Sequence, residues 1–151
     1  AVDNILHYTE PLAYGLYDPA RNFIQFPTEI RVLGAAGNGL WIVTALHTYW
    51  MPGDNPNEAQ LNLQADYSAP KQMAVNLPED NDSFWLSHRG WVRGTSEGQM
   101  QIMADERIQT NFTAAWAPSM FREANGIRQF VALARGSADR AVNSDDFTDA
   151  L

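Results

Sequence analysis

The stretch GLWIVTALHTYW, Gly39 to Trp50, is the longest apolar run in the chain, and its reading decides the fold. Its Trp, Ile, Val, Thr and Tyr residues suit a pleated surface, so it reads as a β-strand. Side chains alternate across a strand. Leu40, Ile42, Leu46 and Trp50 therefore fall on one face, and Trp41, Val43, Ala45 and Tyr49 on the other. Neither face is polar. A strand of a two-layer antiparallel sandwich has one dry face and one wet face. This one needs a cover on both.

The same is true of SFWLSHRGWVR (Ser83–Arg93) and IRQFVALAR (Ile127–Arg135), each read as one strand with apolar groups on both sides. Other segments alternate in the ordinary way. QLNLQADY (Gln60–Tyr67) sets Leu61, Leu63, Ala65 and Tyr67 against Gln60, Asn62, Gln64 and Asp66. QMQIMAD (Gln99–Asp105) turns Met100, Ile102 and Ala104 inward, and RIQTNFTAAW (Arg107–Trp116) aligns Ile108, Phe112, Ala114 and Trp116. FIQF (Phe23–Phe26) and EIRVL (Glu29–Leu33) are shorter strands. Between them lie turn-forming clusters: YDPARN, GAAGNG (Gly34–Gly39), MPGDNPN, LPEDND and GTSEG. Seven or eight short strands at this spacing predict an all-β sandwich or barrel.

A chain of 151 residues suits one domain and needs no staple. It has no cysteine, which excludes disulfides, thiolate metal sites and thiol catalysis. Net charge is −8, and only one of ten basic residues is a lysine. Nothing here neutralises a run of phosphates, so neither nucleic acid nor an anionic membrane is an expected partner.

If the three two-faced strands share a sheet, its second face presents Trp41, Tyr49, Trp85, Trp91 and Phe130. Such a patch exceeds what monomers normally expose. Burial between copies of the chain is the economical cover, and a symmetric homo-oligomer the default form. With Leu133 added, these six residues form the predicted oligomer interface. The other available cover is the chain's own arms, Ala1–Leu16 or Gly136–Leu151.

The order of features resembles the C1q/TNF-like jelly-roll family, particularly its phage and bacterial members. YDPARNFIQFP is similar to that family's early Asp-Pro turn and short strand. GLWIVTALHTYW resembles its Gly-aromatic strand, and NEAQLNLQAD the strand after it. FWLSHRGWVRGTSEGQMQIMAD resembles the later strand pair, and IRQFVALARG the closing strand at a three-fold axis. The resemblance spans Leu12 to Gly136. Thr28–Asn38 and the long tail depart from the family pattern. It implies an antiparallel jelly-roll β-sandwich over residues 12–136, which leaves an N-terminal arm at 1–11 and an acidic C-terminal tail at 137–151, the latter read separately as a candidate docking arm. It also implies a homotrimer.

Chemistry-bearing groups are few. His7, His47 and His88 lack metal-ligand spacing, and a hydrogen-bonded structural histidine is the expected role. Ser87 and His88 are adjacent on a strand, point oppositely, and cannot form a nucleophile–base pair. The acidic residues fall mostly in loops, with Pro78–Asp82 the best oxygen source for Ca²⁺, though without the ordered Ca²⁺-loop pattern. No metal or cofactor is expected. Arg89, Trp91 and Arg93 share a face and, with Trp50, make the best ligand platform, suited to stacking on a glycan.

The leading expectation is a non-enzymatic structural protein: a homotrimeric decoration (cement), spike or head-fibre protein on the capsid exterior of a phage virion, with the major capsid protein as partner. The second is a secreted or extracellular glycan- or receptor-binding module.

Overall fold

The computed structural model describes residues 4–10, 12–53, 56, 60–77, 81–103 and 116–133. Its strands are β1 (Ile5–His7), β2 (Phe23–Gln25), β3 (Ile30–Ala36), β4 (Gly39–Thr44), β5 (Thr48–Pro52), β6 (Asn62–Ala65), β7 (Val75–Leu77), β8 (Asp82–Ser87), β9 (Gly90–Gly94), β10 (Met100–Ile102), β11 (Ser119–Ala124) and β12 (Ile127–Ala132). The described residues contain no helix, and every strand pairing is antiparallel.

Gly39–Trp50 is not one strand. It is β4, a turn at Ala45–His47, and the start of β5. The turn changes which residues share a face. In an unbroken strand, residues 41 and 50 lie on opposite sides, because they are an odd number apart. Folded as a hairpin, Trp41 sits directly opposite Trp50, and Ile42 opposite Tyr49. The Trp41 and Trp50 rings meet at 4.9 Å, a cross-strand aromatic pair of about 0.5–1.5 kcal/mol beyond area burial. Ser83–Arg93 divides in the same way into β8 and β9, with His88 and Arg89 in the turn and Gly90 at φ +115. GAAGNG is mostly strand: Gly34–Ala36 belong to β3, and only residues 37 and 38 form the turn. Gly34 is there for closeness. A Cβ at this position would stand 2.8 Å from both Ala74 Cβ and Ser83 Oγ.

The strands form two four-stranded meanders, β3-β4-β5-β6 and β10-β9-β8-β7. They face each other across a core of Val32, Ala36, Trp41, Val43, Trp50, Ala69, Trp85 and Val92. Along one side the sheets are tied together. The Gln72 N–H donates to Arg31 O (3.1 Å), the Gly37 N–H to Asn81 O (2.9 Å), and the Ser83 hydroxyl to Ala35 O. At one end, buried Ser68 joins two turns. Its hydroxyl donates to Thr44 O (2.9 Å), and its carbonyl accepts the His88 N–H (3.2 Å). A register shift between Ile30 and Val32 marks a bulge, from which Arg31 Nη1 reaches Ser68 Oγ (3.2 Å) and Ala69 O (3.3 Å).

Two ribbons supply the missing covers. β1–β2 lies over the outer face of the first sheet, where Leu6 and Phe26 close a second core with Ile30, Ile42 and Met51. β11–β12 lies over the outer face of the second sheet, on Phe84 and Trp91. Both sides of Gly39–Trp50 are thus covered from within the chain, and on the β4 side the cover is an N-terminal arm. The all-β antiparallel expectation holds. The jelly-roll connectivity has no counterpart among the described strands. A jelly roll is built of Greek keys, which pair strands distant in sequence, whereas every named sheet neighbour here is consecutive in the chain.

Candidate interaction surface

The β11–β12 ribbon is a hairpin closed by Asn125 and Gly126, both at positive φ (53° and 74°). That is the requirement of a two-residue turn whose twist matches the strands. Six cross-strand pairs run from Ala124↔Ile127 to Ser119↔Ala132. Period-two alternation then divides the side chains. Phe121 and Phe130 turn toward the second sheet. Phe130 stacks on Phe84 at 4.4 Å and 20°, with Phe121 at 5.3 Å and Trp91 at 5.9 Å. The ribbon is also tied along residues 71–73: the Ala117 N–H donates to Lys71 O (3.1 Å) and the Ser119 hydroxyl to Met73 O (3.1 Å).

Its opposite face is apolar and open. Ile127 and Leu133 are each 63% exposed, and Met120 and Val131 lie beside them, also exposed. Arg122, opposite Gln129, is the one ionic side chain in that row. No third strand pairs with the ribbon among the described residues.

The predicted interface residues are largely elsewhere. Trp41 and Trp85 are fully buried between the two sheets, their rings 5.6 Å apart, and have no surface to offer a second copy. The strand reading put them on an open face because it placed their strands in one sheet, whereas β4 and β8 belong to two sheets that face each other. Tyr49 packs against Phe26 at 5.6 Å in the second core. Trp91 and Phe130 face each other beneath the ribbon. Leu133 alone of the six points outward. Met120, Ile127 and Val131 were missed. The signal for them was Ala124-Asn125-Gly126, a hairpin turn left unassigned between two supposed strands.

The predicted ligand platform is dispersed as well. Trp50 is buried in the core against Gly39 and Gly98, where an added Cβ would meet its indole at 2.3 and 2.4 Å. Arg93 Nε and Nη2 both reach Asp82 Oδ2, and its guanidinium lies 5.9 Å from the Phe84 ring. Arg89, in the β8–β9 turn, sits over Tyr67 at 5.4 Å. The Ser96 N–H also donates to Asp82 (3.2 Å), so this buried carboxylate serves to hold the β9–β10 turn.

His47 is in the β4–β5 turn, 3.6 Å from Asp66, and His7 meets the edge of Tyr17 at 5.9 Å. His88 is in the β8–β9 turn. No cluster of three potential metal ligands occurs among the described residues. Glu29 accepts from Lys71 and lies 3.6 Å from Arg31; the Lys71 hydrogen bond, opposed by partial desolvation and aided by both positive charges, holds its carboxyl below the usual range. Leu61, just before the edge strand β6, and Leu63, on it, were expected to face inward and are exposed. The readings of Arg107–Ala115, Pro78–Asp80 and the C-terminal tail lie outside the described residues.

The chain matches no protein-family model, no curated protein and no solved structure. The likeness to C1q/TNF-like proteins therefore remains one of feature order.

Proposed function

We propose that this chain is a non-enzymatic structural protein that acts by assembling with copies of itself, as a decoration or spike protein on the outside of a phage virion. One observation carries the self-association: the outer face of β11–β12, where Met120, Val131 and Leu133 on one side of the Arg122–Gln129 pair and Ile127 on the other are exposed. An exposed apolar sheet face marks an interaction surface. The strand polar groups support a structural role. Asp82, Ser83, Ser87, Thr44, Thr48 and Ser68 are buried, and each holds a backbone group, a turn or a neighbouring side chain.

The virion setting rests on the family resemblance. In that setting the two-sheet body plays the part the jelly roll plays in the family: a rigid support whose assembly surface faces its neighbours. Three copies is the stoichiometry the resemblance implies. Light scattering on the purified chain at micromolar concentration tests the reading. The expected mass is three times 16.9 kDa; a monodisperse monomer refutes it.

A further inference from the structure

The ribbon face needs an occupant, and the chain carries a second apolar surface of the right kind. Residues 8–22 join β1 to β2 as a closed loop. Asn22, buried, is its neck. Its side-chain amide donates to Glu10 Oε1 (2.9 Å), its Oδ1 accepts the Asp18 N–H (3.2 Å), and its carbonyl accepts the Tyr8 N–H (3.2 Å). Within the loop, the Glu10 N–H donates to Leu16 O (2.9 Å) and the Leu16 N–H to Ala13 O (2.8 Å). The Ala20 N–H donates to Asp18 Oδ1 (2.9 Å).

With so much of its backbone satisfied internally, the loop turns outward the side chains a fold ordinarily buries. Leu12 is 92% exposed and Tyr14 86%, and more than half of Leu16 and Tyr17 is in water. Leu12 also has φ 60°, a left-handed conformation that strains a leucine. Internal ties, a strained apex and an apolar exterior describe a surface ordered before it binds, which lowers the entropy lost on contact.

We infer that the Leu12–Tyr17 tip of one copy docks on the outer face of the β11–β12 ribbon of the next, head to tail. This rests on the self-association proposed above and names the surface that meets the ribbon. Three observations favour a second copy as the occupant. The two surfaces belong to ribbons on the outer faces of different sheets, with both four-stranded sheets between them, so one copy cannot join its own pair. Each side offers four large, exposed apolar side chains, and the tip's Tyr14 and Tyr17 are aromatics, which bury up to about 150–250 Å² each. The charges are complementary too. The ribbon's outer face carries one ionic side chain, the cation Arg122, while residues 8–22 carry Glu10 and Asp18 against Arg21. Unlike surfaces in contact make a heterologous interface, which closes into a ring, three-membered for a trimer, or runs open.

Two full-length variants test this. Leu12→Asp/Tyr14→Asp alters the tip; aspartate tolerates positive φ, so the loop keeps its shape. Ile127→Asp/Val131→Asp alters the ribbon face. Thermal melts and near-UV circular dichroism check that both fold. Each variant alone is expected to be monomeric, while their equimolar mixture forms a one-to-one heterodimer through the single intact tip–ribbon contact, seen by sedimentation velocity. A tip variant that keeps the parent mass while the ribbon variant is monomeric overturns the inference and leaves self-association standing. So does a mixture that stays monomeric. A parent chain that is itself monomeric overturns the self-association as well. A tip variant with parental mass that loses co-sedimentation with phosphatidylcholine vesicles reassigns the loop to a bilayer and also refutes the docking.

Discussion

Gly94→Ala is the sharpest probe of the shared core. A Cβ on Gly94 would stand 2.5 Å from Cε2 and Nε1 of Trp41. Ordinary carbon contacts begin about 1 Å further out. The indole has no easy retreat. Trp50 lies at 4.9 Å, Trp85 at 5.6 Å, and Nε1 donates to Thr95 O at 3.2 Å. Overpacking of this kind costs about 1–3 kcal/mol, and loss of the indole hydrogen bond about 1 kcal/mol more. The stiffer unfolded chain returns about 0.4–1 kcal/mol. The net expectation is a loss of about 2–3 kcal/mol, or a fall of roughly 5–10 °C in Tm. Urea titration followed by far-UV circular dichroism reads it as a lower midpoint with an unchanged slope. Gly15→Ala is the comparison: nothing lies within 4 Å of its added Cβ, so it should match or slightly exceed the parent. A Gly94→Ala midpoint equal to the parent's would mean that Trp41 does not lie against β9, and the facing of the two sheets would be wrong.

Three further outcomes follow from the same geometry. Asp82→Ala removes the partner of Arg93 and the acceptor of the Ser96 N–H, and should cost about 2–3 kcal/mol in chemical denaturation. Phe130→Ala should release the ribbon before the body, seen as faster hydrogen exchange across residues 119–132 with the amides of β4 and β8 still protected. Glu29 is less readily protonated in the folded chain than in the unfolded one, so its contribution is present at neutral pH and fades as pH falls below the ordinary carboxylate range. Glu29→Gln should therefore flatten the acid limb of the stability–pH curve, and an unchanged limb would contradict the Lys71 contact.

The class of fold was legible from alternation and turn chemistry, because period-two patterning reports a half-buried strand wherever it occurs. What misled was contiguity. Ala45-Leu46-His47 and His88-Arg89 contain no Gly-Pro or Asn-Gly pair, so two hairpins read as two long strands, and the parity of Trp50 was inverted with them. Gly34-Ala35-Ala36 read as a turn because glycine signals one; its role is instead to let Ala74 and Ser83 approach. The second apolar face of each sheet was correctly noticed. Of its covers, the N-terminal arm was one of the alternatives in view, but the β11–β12 ribbon was not, because β11 is half polar and its value lies in contacts with residues far along the chain. The exposed ribbon face became visible only once Phe130 was known to point inward.

The tryptophans are distributed so that the molecule carries its own optical gauge of which layer has come away. Trp41, Trp50 and Trp85 are close enough for their excited states to couple, and they should give one exciton signature that survives while the sheets stay together. Trp91, under Phe130, should shift its emission to the red as soon as the outer hairpin lifts, and Trp116, already in solvent, should barely change.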